Sequence, residues 1–264
     1  MIRVEQVAVV FNAGTPLENR VFDDFSLEIP AGQFVTVIGS NGAGKSTLLN
    51  AIAGEVPVDS GHVFIGSQDV TRMPSWRRAG LVARVFQDPR AGTCEMLTVE
   101  ENLALAANRG RPRTLRLALD PEKRSRFRAE LARLGLGLEN RLRDQIGLLS
   151  GGQRQATSLL MAAIQPMQIL LLDEHVAALD PRTAAFVLDV TRRVVAEHRL
   201  TALMVTHSMR HALAMGDRTI MLHEGRVVLD VAGAERSRMT VDDLIKRFRS
   251  QHGEELDSDS LLLA

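Results

Sequence analysis

The chain lacks several features that would point to particular classes of protein. It has no tyrosine and one cysteine, Cys94, in 264 residues, so an internal disulfide is excluded and a reducing compartment is expected. We expect Cys94 to be a small, half-buried apolar residue rather than a catalytic thiol. No apolar run approaches the roughly 20 residues that span a bilayer. Any membrane association is therefore expected to come through a partner chain.

The chain also lacks an excess of positive or negative charge, and it lacks a recognisable targeting signal. Lys plus Arg and Asp plus Glu are 32 each, so the net charge is zero, which argues against a dedicated nucleic-acid-binding protein. Residues 1–5 have neither a basic region nor a long apolar core, so no secretory signal is expected there. Hydrophobic content of 45% and charged content of 24% are typical of a soluble globular protein. The length allows one large α/β domain or two closely joined parts.

The stretch from Gly39 to Thr47 fits G-x-x-x-x-G-K-[ST], a loop that cradles phosphates. An apolar run at 34–38 predicts a buried strand before it, and apolar spacing predicts a helix from Lys45 to Gly54 after it. Glycines let backbone N–H groups point at an anion, and the helix start adds about half a positive charge. The sequence predicts a nucleoside triphosphate site formed by Gly39, Ser40, Asn41, Gly42, Ala43, Gly44, Lys45, Ser46 and Thr47, with Lys45 on the β- and γ-phosphates and Ser46 on Mg²⁺.

Two carboxylates follow an apolar run at 169–172. We expect Asp173 to join the coordination shell of Mg²⁺, and Glu174 to orient or deprotonate a water that attacks the γ-phosphate. His207 comes directly after another predicted strand, at 203–206. Because the carboxyl ends of parallel strands share one edge of a sheet, we expect His207 to reach the same phosphate.

A second glycine-containing unit, Ser150-Gly151-Gly152-Gln153, begins a helix predicted to run through Ile164. A serine at a helix start and two glycines expose backbone N–H groups to an anion. One nucleotide has no obvious need of two such cradles. The pattern therefore indicates a two-fold dimer in which each loop serves a different nucleotide.

Two features of the sequence leave alternatives open. Phe11, at the end of a strand predicted over 2–11, could stack on a base or pack in the core. The second feature is the basic character of the helical segment, which favours a solvated helix face over contact with lipid headgroups or an acidic partner. Its basic residues are Arg111, Arg113, Arg116, Lys123, Arg124, Arg126, Arg128 and Arg133.

The pattern of predicted elements indicates an α/β protein. Strands dominate at first, helices take over from about 98 to 165, and strands and helices then alternate. We predict a single domain over 1–264: a P-loop NTPase core with a mixed sheet and an N-terminal antiparallel β layer (1–88 and 166–264), an inserted α-helical subdomain (89–165), and a C-terminal helix and tail (240–264).

Together these motifs resemble those of ATP-binding subunits of the ABC transporter family, over essentially the whole chain. The stretch from Leu149 to Gln153 matches the family signature without a change. The first loop resembles the Walker A loop, and the Asp173-Glu174 pair resembles the Walker B aspartate and catalytic glutamate. One departure is His175-Val176, where family members usually carry Pro-Thr, so the path of this loop is open.

The resemblance implies further roles. Gln87 corresponds to the Q-loop glutamine that touches metal or water and links to the membrane subunit, and 178–180 to the D-loop. His207 corresponds to the switch histidine, and Phe11 is the candidate for the aromatic that stacks on adenine. Two copies, as a homodimer or a paired ATPase, would sandwich two ATP molecules head to tail. In that arrangement the signature of one copy (Ser150, Gly151, Gly152) closes on the γ-phosphate held by the other (Gly44, Lys45, Ser46).

The same resemblance implies partners and a location. Separate integral-membrane permease subunits, with an extracytoplasmic solute-binding protein acting indirectly, would place the chain peripherally on the cytoplasmic face of the inner or plasma membrane. A finer similarity is to tryptophan/tyrosine import ATPases. It rests on 14–16, 86–89, 91–93, 173–175 and 253–256. The alternatives are an importer of branched-chain amino acids or another solute, and a soluble ABC-type ATPase outside transport. A scaffold with a dead site is disfavoured because Lys45, Asp173, Glu174 and His207 are all present.

Overall fold

The computed structural model describes residues 1–111 and 117–252. The strands among them are β1 (Ile2–Phe11), β2 (Asn19–Ile29), β3 (Phe34–Gly39), β4 (Ser60–Ile65), β5 (Gln68–Asp69), β6 (Val82–Val85), β7 (Ile169–Asp173), β8 (Thr201–Val205), β9 (Arg218–His223) and β10 (Arg226–Ala232). The α-helices are α1 (Lys45–Ala53), α2 (Ser75–Arg78), α3 (Val99–Ala107), α4 (Pro121–Leu134), α5 (Gly151–Ala163), α6 (Pro181–His198), α7 (Met209–Ala214), α8 (Gly233–Arg238) and α9 (Val241–His252). Short 3₁₀ turns lie at Leu138–Asn140 and Ile146–Leu148.

The first sheet is antiparallel, with strand order β2-β1-β4-β5. Its longest strands alternate between buried and more exposed positions, as one-sided sheets do, and Ile2, Val4, Val7 and Val9 of β1 face the core. The predicted N-terminal antiparallel layer is confirmed. The layer also includes β4 and β5, which follow α1 in the chain, whereas the strand predicted at 34–38 joins the other sheet as β3.

The second sheet is mixed, with order β10-β9-β3-β8-β7-β6. All neighbouring pairs in it are parallel except β9 and β10. Every residue of β3 and of β8 is buried, because both faces of this sheet are covered. The mixed α/β fold predicted from the sequence is confirmed, and the parallel strands bring their carboxyl ends to one edge.

The helical part of the chain packs around apolar side chains of α4 and α5. Phe127 and Leu131 of α4 are fully buried and share a core with Leu159 of α5 and with strands of the second sheet. Helix α3 begins with a capping box, in which Thr98 and Glu101 bond each other's backbone N–H groups. The division into a core (1–88 and 166–264) and a helical subdomain (89–165) stays a prediction.

The basic side chains of this helical part pair largely within the chain. Arg124 Nε lies 2.9 Å from Glu100 Oε2, and Arg133 Nη2 lies 2.5 Å from Glu197 Oε2. Arg126 donates to the carbonyl of Ile164 at 2.7 Å. These contacts favour the solvated-face interpretation over a lipid contact. Arg113 and Arg116 lie outside the described residues.

The structure corrects one expectation, for Cys94, and adds detail to the predicted helices. Cys94 is exposed rather than half-buried, because it sits in a run of surface turns that lead into α3. Helices α2 and α8 were not anticipated, since each is too short to show an amphipathic repeat. The C-terminal helix predicted within 240–264 is α9, which runs to His252. The tail after residue 252, which includes the similarity at 253–256, lies outside the described residues. Among the described residues, no helix is long and apolar enough to cross a bilayer.

Candidate functional site

The site lies at the edge where the parallel strands end. Gly39 closes β3 and leads into the phosphate loop, and Gln87 follows β6. Glu174 follows β7, and His207 follows β8. Since β6, β7, β8 and β3 run parallel in that spatial order, the fold brings together residues that are far apart in sequence.

An open cleft of about 510 Å³ lies at this edge. Its walls include three of the predicted strand-end residues, Gln87, Glu174 and His207, together with Phe11, which is 36% exposed. The phosphate loop supplies the floor with Asn41, Gly42, Ala43, Gly44, Lys45, Ser46 and Thr47. The cleft therefore combines backbone N–H groups, a cation, hydroxyls, a carboxylate and an aromatic ring.

The phosphate loop depends on glycine at two close approaches. A Cβ at Gly39 would lie 2.2 Å from the carbonyl oxygen of Leu222, and Gly39 has φ of 154°. Gly44 has φ of 98° and caps α1, and a Cβ there would lie 2.9 Å from the ring of Phe22. Larger residues at either position would displace neighbouring backbone or core, so the loop keeps the curl that anion binding requires.

Lys45 is folded into the loop that carries it. It is 5% exposed, and its ammonium donates to the carbonyls of Gly39 at 2.7 Å and Ser40 at 2.8 Å. Ser40 is buried and is not among the described residues that line the cleft, and its hydroxyl lies 3.5 Å from His223 Nδ1. This holds a positive charge at the centre of the loop, where the phosphates of a nucleotide would lie.

Glu174 and His207 contact each other through Glu174 Oε1 and His207 Nε2. The backbone of Glu174 is left-handed, with φ of 45°, and its N–H donates to the carbonyl of Val205 at 3.0 Å. Burial raises the pKa of the Glu174 carboxyl, although the charges of His207 and Lys45 oppose the shift. A buried carboxylate held in a strained backbone beside an imidazole fits a proton-accepting or water-orienting group.

Asp173 is held away from the open space. The lining of the cleft, taken over the described residues, does not include it. Instead its Oδ2 lies 2.5 Å from Arg84 Nη2, and Arg84 also contacts Asn50 and Glu55 at the end of α1. The structure thus pairs the predicted metal ligand with a guanidinium.

The second predicted cradle lies apart from the cleft. Ser150, Gly151, Gly152 and Gln153 start α5, and none of them is among the described residues that line the cleft. Ser150 accepts from the N–H of Gln153 at 3.3 Å, and Gln153 Oε1 accepts from the N–H of Ser150 at 3.2 Å. A Cβ at Gly152 would lie 2.0 Å from Thr183 Cγ2, so this glycine lets α5 approach the start of α6.

The loop after Glu174 keeps a compact path despite its unusual sequence. His175 is buried, and its Nε2 lies 3.0 Å from Thr191 Oγ1 of α6. Burial, with the nearby charge of His211, lowers the pKa of His175 to about 4. Two turns follow, from Ala177 N–H to Glu174 O at 2.9 Å and from Leu179 N–H to Val176 O at 3.2 Å. His175 thus ties the loop to α6.

The donor set at this edge fits a magnesium nucleotide. Mg²⁺ prefers oxygen ligands and commonly takes one or two carboxylates, with phosphates and water completing its shell. Ser46 and Gln87 line the cleft, and Asp173 ends the neighbouring strand. No cluster of three or more His, Cys, Asp or Glu residues suited to a metal occurs in the described part of the chain.

Three lining or contacting residues were missed by the sequence analysis. Asn19 and Val21 of β2 line the cleft, but their strand carries no motif that would mark them. Arg84 contacts Asp173, and its signal in the sequence is a charged residue inside the otherwise apolar stretch 81–86. A buried charge in such a strand requires a partner, which could have been sought among the carboxylates.

Comparisons with known proteins agree with this geometry. A family model described as ABC transporter matches residues 22–177. The tyrosine transport ATP-binding protein of Clostridioides difficile (strain R20291) is 43% identical over 248 residues, covering 94% of this chain and 98% of that protein. A thiamine import ATP-binding protein of Chelativorans sp. (strain BNC1) is 36% identical, covering 88% of this chain and 87% of its own length.

Among solved structures, a dimeric ATP-binding cassette, MJ0796, in a post-hydrolysis state with ADP and Pi bound, is similar with a TM-score of 0.76. Its sequence identity is 26%, and the similarity covers 88% of this chain and 98% of that one. The family model spans more than half of the chain, and the relatives span nearly all of it. This chain belongs to the ABC transporter family, as an ATP-binding and ATP-hydrolysing subunit.

Proposed function

We propose that this ATPase powers the import of a small organic solute, an aromatic amino acid, through separate permease subunits. The site geometry supports the ATPase part, and the observation that carries it is the contact between Glu174 and His207 at the mouth of the phosphate loop. The tyrosine transport relative, similar over nearly the full length of both chains, supports the choice of solute.

Each cleft residue receives a role in this proposal. The loop N–H groups and Lys45 bind the β- and γ-phosphates, and Phe11 stacks on the adenine. Glu174 orients the attacking water and accepts its proton, and its raised pKa brings it closer to neutral pH than an ordinary carboxylate. His207 contacts Glu174 and faces the γ-phosphate. Gln87, which is exposed in the cleft wall, orients the water or the metal.

Ser46, Asp173 and Gln87 would hold Mg²⁺ together with the phosphates. When bound, Mg²⁺ neutralises charge that develops on the transferred phosphoryl group. Asp173 would contribute to this shell through the same carboxylate that Arg84 contacts.

The separation of the two cradles supports a head-to-tail dimer. The signature unit does not line the cleft of its own chain, yet its helix start presents N–H groups suited to an anion. In a two-fold pair, Ser150, Gly151 and Gly152 of one copy close on the γ-phosphate in the other copy's cleft. Gln153 stabilises this helix start through the capping box.

Two inactive variants test this sharing of sites. Lys45→Ala destroys the loop of one copy, and Ser150→Arg blocks the signature of one copy. Each alone is expected to lose ATP turnover. Mixed together, they form heterodimers in which one composite site is intact, so part of the activity returns. Absence of recovery, although mixed dimers are detected by mass, would contradict the shared site.

The permease contact is proposed at Gln87 and at an exposed apolar surface that includes Met96 and Leu148. Met96 is 79% exposed and Leu148 is 69% exposed. The segments that carry them are joined, since the N–H of Gly147 donates to the carbonyl of Glu95 at 3.2 Å. An apolar surface there fits a membrane-protein partner and a peripheral position on the cytoplasmic side of the membrane. A solute-binding protein acts on the far side.

The solute is tested in membranes. The chain is reconstituted in vesicles with the permease that co-purifies with it and a matching solute-binding protein, and ATP turnover is measured with tyrosine, tryptophan, leucine or thiamine. Stimulation by the aromatic amino acids is expected. The thiamine import relative favours another organic solute as the second candidate, and stimulation by leucine or thiamine alone would select it.

A further inference from the structure

Arg84 is a charged residue at the centre of a short buried strand. It lies on β6, between Ala83 and Val85, both of which are buried. Its own side chain is 11% exposed. An arginine stays charged under all ordinary conditions, so a guanidinium in such a place requires counter-charges.

The guanidinium contacts two carboxylates, an amide and a ring. Nη2 lies 2.5 Å from Asp173 Oδ2, while Nη1 lies 2.6 Å from Glu55 Oε2 and 2.7 Å from Asn50 Oδ1. The guanidinium carbon lies 4.8 Å from the centre of the Phe86 ring. One cation therefore bridges the end of β7, which carries the predicted metal ligand, and the end of α1, which begins at the phosphate loop.

The two carboxylates differ in their surroundings. The Asp173 side chain is 14% exposed and stands beside Glu174, another carboxylate. The Glu55 side chain is 41% exposed and lies outside the cleft lining described for the chain. Asp173 is thus the carboxylate that most requires a cation, and Glu55 is the one that can share Arg84 with water.

We propose that Arg84 is the counter-ion of Asp173 until Mg²⁺ arrives with the nucleotide, and that it competes with the metal for this carboxylate. Glu55 and Asn50 retain the guanidinium when Asp173 turns to the metal. Arg84 is accordingly a positioning residue that sets the affinity of the site for Mg²⁺. This inference rests on the proposed nucleotide and magnesium site.

The positive charge of Arg84 predicts that it competes with Mg²⁺ for Asp173 rather than assisting metal binding. A guanidinium in contact with a metal ligand withdraws electron density from it and repels a divalent cation. Its removal leaves Asp173 buried without a counter-charge, which the metal then supplies. Loss of Glu55 has the opposite effect, because Arg84 then has only Asp173 as a carboxylate partner.

The test measures metal affinity separately from nucleotide affinity. Binding of Mn²⁺ to the full chain, saturated with a non-hydrolysable ATP analogue, is followed by electron paramagnetic resonance, and nucleotide binding alone is measured with EDTA. Arg84→Met is expected to tighten Mn²⁺ binding by about tenfold, the scale of changes seen when groups next to metal ligands are altered. Nucleotide binding in EDTA is expected to change little.

Two further variants complete the design. Glu55→Gln is expected to weaken Mn²⁺ binding, in the direction opposite to Arg84→Met. Arg90→Met removes a positive charge that is 70% exposed and paired with Glu95, and it is expected to leave Mn²⁺ affinity unchanged. If Arg84→Met does not fold, Glu55→Gln decides the question, since it retains the buried cation.

The outcomes separate this inference from the proposed function. Unchanged or weaker Mn²⁺ binding in Arg84→Met, or unchanged or tighter binding in Glu55→Gln, overturns the competition. The proposed site fails differently, by showing no nucleotide binding in EDTA or no Mn²⁺ binding with nucleotide in the unmutated protein.

Discussion

Two segments of the chain have the backbone pattern of an anion-binding site: the phosphate loop at 39–47, called here the first corner, and the start of α5 at 150–153, called the second corner. They differ in how many functional side chains surround them. The phosphate loop lies in a cleft with Glu174 and His207, side chains that arrive from other strands. The start of α5 is capped by Ser150 and Gln153 of its own turn, and it faces Thr183 of α6 rather than the cleft. The first corner has the groups needed for chemistry, and the second offers only a helix start. The difference is what the proposed two-fold pair requires, because in it the second corner acts on the nucleotide bound by the other copy.

The largest expected effect comes from a change that removes the proposed proton acceptor of the first corner. Glu174→Gln keeps the shape of the side chain but cannot accept a proton, so ATP turnover is expected to fall by about 10²- to 10⁴-fold. Nucleotide binding should persist, and dimers should become more stable because they no longer reopen. Phosphate release and the mass of the nucleotide-bound particle measure both effects.

Glu224→Gln is the matched control for this change. Glu224 also has a left-handed backbone, with φ of 44°, and it lies in an exposed turn. The same substitution in the same conformation is expected to leave turnover near normal. Normal turnover in Glu174→Gln would remove Glu174 from the role of base.

A second prediction concerns His175, which joins the loop after Glu174 to α6 through its contact with Thr191. Its pKa is lowered from 6.5 to about 4, so the unfolded chain takes up a proton at a higher pH than the folded one. Stability is therefore unaffected above about pH 6.5 and falls as the pH drops toward 4, by about 3 kcal/mol at the end of that range. His211, whose pKa is lowered by burial and by Arg210, acts in the same direction.

Urea unfolding between pH 4 and pH 7 measures this effect. Glu174 opposes this loss of stability at low pH, because its raised pKa favours protonation of the folded state. The dependence of the wild-type free energy of unfolding on pH therefore contains both contributions. His175→Phe removes the titrating ring, and its free energy of unfolding is expected to depend less on pH over this window. An equal slope in the variant and the wild type would show that His175 is not the source.

A third prediction resolves the two interpretations of Phe11. The ring lines the cleft and is 36% exposed, which favours base stacking over core packing. Phe11→Ala is expected to weaken ATP binding by about 1–3 kcal/mol, the usual contribution of an aromatic under a base. Binding of inorganic triphosphate should stay the same. Trp76→Ala, which removes an aromatic that is 68% exposed and outside the cleft lining, is the control. Equal losses for ATP and triphosphate would contradict stacking.

The first corner was predictable because its signals are local. The glycine pattern at 39–47 stands between a strand and a helix, and parallel topology then places Glu174 and His207 at the same edge. The contact of Arg84 with Asp173 joins residues 89 positions apart, so the local pattern could mark Arg84 as needing a partner but could not identify which carboxylate it contacts. The same is true of Asn19 and Val21, which reach the cleft through the pairing of β2 with β1.

The second corner was only half predictable. The sequence indicated an anion-binding helix start at Ser150, but the reciprocal bonds between Ser150 and Gln153 were not foreseen. They matter because a cap and a ligand contact make different demands on one hydroxyl. The cap uses the oxygen as an acceptor, whereas a phosphate would take its hydrogen.

The smallest expected change in stability, combined with a measurement of turnover, separates these two demands. Ser150→Ala removes the cap of α5 and is expected to lower the free energy of unfolding by about 1 kcal/mol. Ser150→Asp keeps the cap, since a carboxylate also accepts from the N–H of Gln153 and is favourable at a helix start. It also places a negative charge where the partner's γ-phosphate would lie. Stability near that of the wild type with lost turnover is expected for Ser150→Asp, whereas retained turnover would show that the second corner is a structural cap alone.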